Sequence, residues 1–158
     1  MIKVNRKVEY GLVALKHMRN KDSSHLTSVR EICERYGTPF DPVAHVLRIL
    51  NANGLVRSEQ GAHGGYRLVS DLERVSLAAF MKMIEGQLAW TDCLRDDEVC
   101  RCSMTETCNI ITPMHEFNQR LTRFLESISL ADLLQANVGW GEANAKPTLP
   151  ERTVRATG

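Results

Sequence analysis

The sequence predicts a mainly α-helical fold with one small β-hairpin. Three observations support this. Stretches with helix caps or helical apolar spacing recur from residue 5 to residue 134. Two short β-prone runs flank a loop with three glycines, Gly61, Gly64 and Gly65. The hairpin lies between the third and fourth helical stretches, whereas the longest helical stretch stands apart near the carboxyl end.

The first helix is expected over Asn5 to Met18. Val8, Leu12 and Leu15 recur at i, i+4 and i+7, and Asn5 is a suitable N-cap. A second runs from Val29 to Tyr36, where Ser28 and Glu31 have capping-box spacing and Gly37 ends the helix. Thr38-Pro39-Phe40 is short enough to be only a turn. A third helix is expected with Asp41 as N-cap, Pro42 at the first helical position and Val43, Val46, Leu47 and Leu50 as its buried stripe. Leu55–Ser58 and Tyr66–Val69 read as two strands around the glycine loop. Its glycines allow positive φ and close approach to a surface. Leu77 to Glu85 forms a fourth helix between Ser76 and Gly86. A long helix is expected from Pro113 with Thr112 as cap, carrying Phe117, Leu121, Phe124, Leu125 and Ile128 on one face. Ser129 caps a short last helix, Leu130 to Leu134, and a polar, flexible tail is expected from residue 136.

Short helix, tight turn, helix with a basic outer face, then hairpin: these are the parts of a winged helix-turn-helix. The expected organisation is a winged helix-turn-helix domain over residues 1–87 and a cysteine-rich loop over 88–111. A dimerisation helix with the short terminal helix occupies 112–135, and the tail 136–158. Charge agrees with the division. Residues 1–74 hold twelve Lys/Arg against eight Asp/Glu, whereas residues 75–158 hold eight against eleven. A basic front half suits a polyanion. On the third helix Ala44, His45, Arg48 and Asn51 are expected to face outward, where such a helix enters the major groove. Arg48, Arg57 and Arg67 are suited to phosphates, and Thr38, Gln60 and His63 complete the candidate DNA contacts. No run of apolar residues is long enough for a membrane span, and the amino end lacks a signal-peptide core, so a cytosolic protein is expected. There is no phosphate loop, no HExxH and no evident nucleophile–base pair, which argues against an enzyme.

The sequence resembles the iron–sulfur winged-helix regulators that include IscR, NsrR and RirA. The resemblance rests on Asn5-Arg6-Lys7-Val8-Glu9-Tyr10-Gly11-Leu12, on Gly54-Leu55-Val56-Arg57-Ser58 through Gly64-Gly65-Tyr66-Arg67-Leu68, and on Ser129-Leu130-Ala131-Asp132-Leu133-Leu134. It implies a homodimer, a long dimerising helix, palindromic operators and an iron–sulfur cluster, 2Fe-2S or 4Fe-4S, held by the cysteine loop. The chain departs from the pattern at Gln60, where many members carry a wing arginine, and at Pro42 and Ala44 on the recognition helix. Its operator is therefore expected to differ.

Cys93, Cys100, Cys102 and Cys108 fall within sixteen residues. Thiolates bind iron–sulfur clusters and zinc, and a loop lets several converge. Cys102 and Cys108 match the family's final five-residue gap; Cys100 or Cys102 supplies the middle ligand. Some members use a histidine three residues after the last cysteine, but here that residue is Ile111. The resemblance instead implies Glu9 of the partner subunit as fourth ligand, with His115 a less favoured choice. Cys33, inside the second helix, is expected to be a small buried apolar residue. The leading reading is a DNA-binding repressor that senses redox state, nitric oxide or iron/cluster supply. One rival keeps the DNA binding and replaces the cluster with zinc or a thiol switch such as Cys100–Cys108. Another is a winged helix that binds a protein partner and no DNA.

Overall fold

The structure is a computed structural model. It describes residues 4–21, 25–61, 64–88, 103–104 and 107–135. Six helices and one hairpin follow in the order α1 (Arg6–Asn20), α2 (Val29–Tyr36), α3 (Phe40–Ala52), β1 (Val56–Glu59), β2 (Gly65–Leu68), a 3-10 turn (Leu72–Arg74), α4 (Leu77–Glu85), α5 (Ile111–Glu126) and α6 (Leu130–Gln135). The mainly helical architecture with one antiparallel hairpin agrees with the fold class read from the sequence.

Local chemistry accounts for most of the helix starts. Asn5, Ser28 and Ser76 each accept a hydrogen bond from a backbone N–H in the first turn of α1, α2 and α4. Each bond satisfies one of the donors that a helix start leaves free. The Ser129 hydroxyl does the same for Asp132 in α6. Two starts differ from the sequence expectation. α3 opens at Phe40 after Pro39, not at Pro42 after Asp41, and no side chain caps it. α5 opens at Ile111, so Thr112 is inside the helix rather than its cap. In both cases a proline, Pro42 or Pro113, occupies the third helical position instead of the first. The N–H groups of the whole first turn lack intrahelical partners, so proline is accepted there at no hydrogen-bond cost.

One core joins α1 to α6, the first and last of the described helices. Val8, Leu15, Ile32, Val43, Val46, Leu47, Leu50, Val56, Phe80 and Leu130 are almost wholly inaccessible, and Ala131 and Leu134 are buried in the same cluster. α1 approaches α3 and α4 closely at Gly11. A methyl group there would lie 2.7 Å from Phe80 Cζ and 3.2 Å from Val46 Cγ1. Glycine is therefore kept in mid-helix despite a propensity cost of about 1 kcal/mol relative to alanine. Cys33 is half-buried and packs on the core edge, in line with its expected apolar role.

The wing pairs Val56 with Leu68, Arg57 with Arg67, Ser58 with Tyr66 and Glu59 with Gly65. Both strands are shifted by one residue from the sequence expectation. A bridge between Thr27 and Tyr66 extends the hairpin: each backbone N–H donates to the other residue's carbonyl at 2.9 Å. The loop glycines play different parts. Gly61 has a φ of 130°, whereas Gly65 is needed for closeness, since a Cβ there would sit 2.8 Å from the Thr27 carbonyl oxygen.

α6 returns to the front of the chain. The Leu77 N–H donates to the Ile128 carbonyl and the Leu130 N–H to the Val75 carbonyl, both at 2.8 Å. The Arg19 guanidinium, at the end of α1, donates to the Ala131 carbonyl at 2.8 Å. α5, by contrast, has no fully buried residue. Leu121, Leu125 and Ile128 are half-buried, while Phe117 and Phe124 are 44% and 59% exposed. No helix among the described residues is long and apolar enough to cross a membrane.

Candidate nucleic-acid interface and cysteine segment

The buried stripe of α3 fixes what its other face offers. With Val43, Val46, Leu47 and Leu50 inward, His45 and Arg48 are exposed, as the periodicity predicts. Asn51 is exposed too, but its Oδ1 accepts from the Ser58 backbone N–H at 2.8 Å. Asn51 thus ties the end of α3 to the wing. Ala44 is half-buried. Thr38 precedes this helix, and its hydroxyl oxygen is buried with no hydrogen-bond partner among the described residues. Such an orphan costs about 1–3 kcal/mol.

On the wing, Arg57 and Arg67 stand directly opposite each other and both are exposed. Like charges so placed repel, and Glu59 relieves this by pairing diagonally with Arg67. Arg57 has no acidic partner among the described ion pairs, which leaves its charge for an outside anion. Gln60 is exposed beside Gly61; His63 lies outside the described residues.

Sequence reading missed a polar junction beneath the recognition unit. Ser28 caps Glu31 as expected, but the Glu31 carboxylate does not reach back to complete the capping box. It accepts two bonds from Lys21 Nζ, at 2.7 and 2.8 Å, and one from His17 Nε2 at 2.8 Å. The Tyr36 hydroxyl meets His17 Nδ1 at 3.0 Å. Burial raises the proton affinity of Glu31, but the bonds from Lys21 and His17 together outweigh it and hold the carboxyl below its ordinary range. The junction fastens α2 to the carboxyl end of α1. Nothing in the sequence spacing announced it: Lys21 is the extended residue that ends α1, and it and His17 reach Glu31 only through the packing of α1 against α2.

Of the cysteine loop, Cys93, Cys100 and Cys102 lie outside the described residues. Cys108 is a free, half-buried thiol shortly before α5. Glu9 is half-buried on the first turns of α1, where it accepts from Arg6 at 2.9 Å. His115 is exposed on α5 beside Gln119. Among the described residues no three His, Cys, Asp or Glu side chains converge as metal ligands. The donor chemistry nevertheless suits an iron–sulfur group. Among the described residues Cys108 has no disulfide partner, and the Glu9–Arg6 pair is a surface contact worth at most about 1 kcal/mol, so neither donor is committed to another described residue.

Comparison with known proteins agrees with this architecture. Over 126 residues, 80% of this chain and 86% of the relative, it is 27% identical to the HTH-type transcriptional regulator NsrR of Halalkalibacterium halodurans. Among solved structures, T. potens IscR aligns over 85% of this chain and 87% of its own, with a TM-score of 0.60 and 25% identity. CymR (YrzC), the global cysteine regulator of B. subtilis, shares the fold over 85% of this chain and 98% of its own, with a TM-score of 0.64 and 24% identity. Residues 4–136 match the family described as Rrf2, iron-dependent transcriptional regulator. The chain therefore belongs to the Rrf2 family of DNA-binding transcriptional regulators.

Proposed function

We propose that this protein is a homodimeric repressor. It binds a palindromic operator through α3 and the wing and senses redox state, nitric oxide or iron/cluster supply through an iron–sulfur cluster. The observation that carries the DNA-binding part is the joint presentation of His45 and Arg48 on α3 with Arg57, Gln60 and Arg67 on a wing pinned to α3 by Asn51. Arg48 is placed to reach base edges or phosphates, and Arg57 and Arg67 to hold phosphates. Residues 1–87 act as the reading head, 88–111 as the sensing segment and 112–135 as the dimerising and docking element. The open Phe117 and Phe124 of α5 form the face that a second copy covers.

Cys93, Cys108 and either Cys100 or Cys102 would hold the cluster, with Glu9 of the partner subunit as fourth ligand. A bound cluster would supply one-electron chemistry and a ligand set open to exchange. The family's iron-dependent description and four cysteines between residues 93 and 108 support this assignment. The acidic surroundings, with Asp92, Asp96, Asp97, Glu98 and Glu106, disfavour contact with DNA and suit a sensing role. Glu9 would bring the signal to α1. From there Gly11 touches the Val46 side of α3, and the Lys21–Glu31 contact carries any shift to α2. These contacts make α1 the element whose displacement both sites feel, as an allosteric account requires.

The test is iron and acid-labile sulfide per chain, with the visible spectrum, on protein purified without oxygen. Near-stoichiometric iron and sulfide are expected. Little iron after successful reconstitution of a control protein would replace the cluster with a thiol or zinc switch. For the DNA-binding half, Arg48→Ala is expected to weaken operator binding at least about fivefold, the lower end of the range for one arginine–base contact, and to leave metal content unchanged. Equal affinity of variant and wild type across a salt series would remove Arg48 from the interface.

A further inference from the structure

We infer that Phe40 reads a base: its ring packs against the 5-methyl group of a thymine in the major groove and helps to set which operator the protein prefers. The inference rests on the reading of α3 as the recognition helix. Phe40 is the first residue of α3 and is 54% exposed. Single exposed apolar side chains are common, and what distinguishes this one is its place. Amino-terminal residues of a groove-binding helix are the ones that meet base edges. The thymine methyl is the apolar feature on those edges, and phenylalanine is among the side chains that contact it.

The rest of α3 agrees. Phe40, Ala44 and Arg48 follow at i, i+4 and i+8 and so form one stripe beside the core-facing residues. An apolar ring opens that stripe, a small half-buried side chain follows, and an exposed cation closes it. Ala44 adds no bulk that would hold the helix away from the bases. Exposed Asp41, next to Phe40, repels phosphate, so this end of α3 suits base edges better than backbone. Pro39, in extended conformation at φ −71° and ψ 140°, sets the direction in which the chain enters the helix and presents the ring.

The experiment uses the full-length protein and duplexes that the wild type selects from a random pool. Each thymine is replaced in turn, symmetrically in both half-sites, by uracil, which removes only the methyl group. Affinities are read by fluorescence anisotropy for wild type, Phe40→Ala and Phe40→Leu, with folding checked by circular dichroism melts. At one thymine per half-site, uracil is expected to weaken the wild type by about fourfold per half-site, roughly fifteenfold in all, the worth of one buried methyl group at each. Phe40→Ala is expected to lose affinity for the thymine duplex and to bind the uracil and thymine forms equally at that position. Phe40→Leu should retain part of the discrimination. The same uracil sensitivity in Phe40→Ala as in the wild type would overturn the inference. So would a wild type indifferent to every uracil, or a Phe40→Ala loss equally large on unselected DNA. Failure of the underlying reading looks different, because there both Arg48→Ala and Phe40→Ala bind the operator as the wild type does.

Discussion

Replacing Phe80 with alanine is expected to lower the folding stability by about 3–5 kcal/mol. Phe80 is wholly buried and is the largest such side chain among the described residues. Its ring fills the space that Gly11 leaves open, with Ile84 and Val46 beside it. α1, α3 and α4 thus meet around one ring, and no nearby side chain can grow to replace it. The loss combines the transfer energy of the ring with the cavity left behind, since a glycine on the facing helix cannot collapse inward. Domains of this size are stable by only about 5–15 kcal/mol, so the variant should approach the limit of folding at physiological temperature. Urea titration of wild type and variant measures the difference. A loss below about 1 kcal/mol would show that the core repacks and that the Gly11–Phe80 contact is not its centre.

The second large effect concerns iron. Cys108→Ala is expected to reduce iron and acid-labile sulfide to a small fraction of the wild-type content, and Cys93→Ala to do the same. Folding should change little, because Cys108 is half-buried and is not among the side chains that build the core. The response of DNA binding to the signal should vanish with the iron, while the reading head keeps its shape. Elemental analysis, the visible spectrum and a thermal melt on each variant separate these effects. A full cluster in both variants would overturn the ligand assignment. A collapsed melt in Cys108→Ala would make that thiol structural.

Much of this architecture was legible in the sequence because local signals agreed with global ones. Ser28 with Gly37 and Ser76 with Gly86 mark both ends of α2 and α4 through chemistry confined to a few residues. Val43, Val46, Leu47 and Leu50 identify the buried side of α3, and hence which residues it turns outward. The starts of α3 and α5 were misplaced for one shared reason: proline tolerates the whole first turn, so Pro42 and Pro113 limit a helix start without fixing it. That error hid Phe40, which read as part of a turn and is instead the tip of α3. Glu31 was misassigned because capping-box spacing is a local pattern, whereas Lys21 and His17 compete for the carboxylate from another helix. No rule of sequence spacing registers such competition. The proposed ligands, Glu9 and the clustered cysteines, rest on family resemblance and on the cysteine clustering. A ligand set of the kind proposed, shared between the cysteine segment and a second subunit, leaves no periodic trace in one chain.

The paired backbone bonds at Val75–Leu77 and Ile128–Leu130 have an evolutionary corollary. They fasten the two ends of a long excursion, from α4 through the cysteine segment to α5, at a single point beside the core. Once such a loop is closed, lengthening it costs little: doubling its residues adds only about 0.6 kcal/mol of closure entropy. Insertions and deletions between Gly86 and Ile110 are thus nearly neutral for the reading head. The spacing of the cysteines, and with it the sensing chemistry we propose for them, can drift between relatives while the fold at the front of the chain remains as it is.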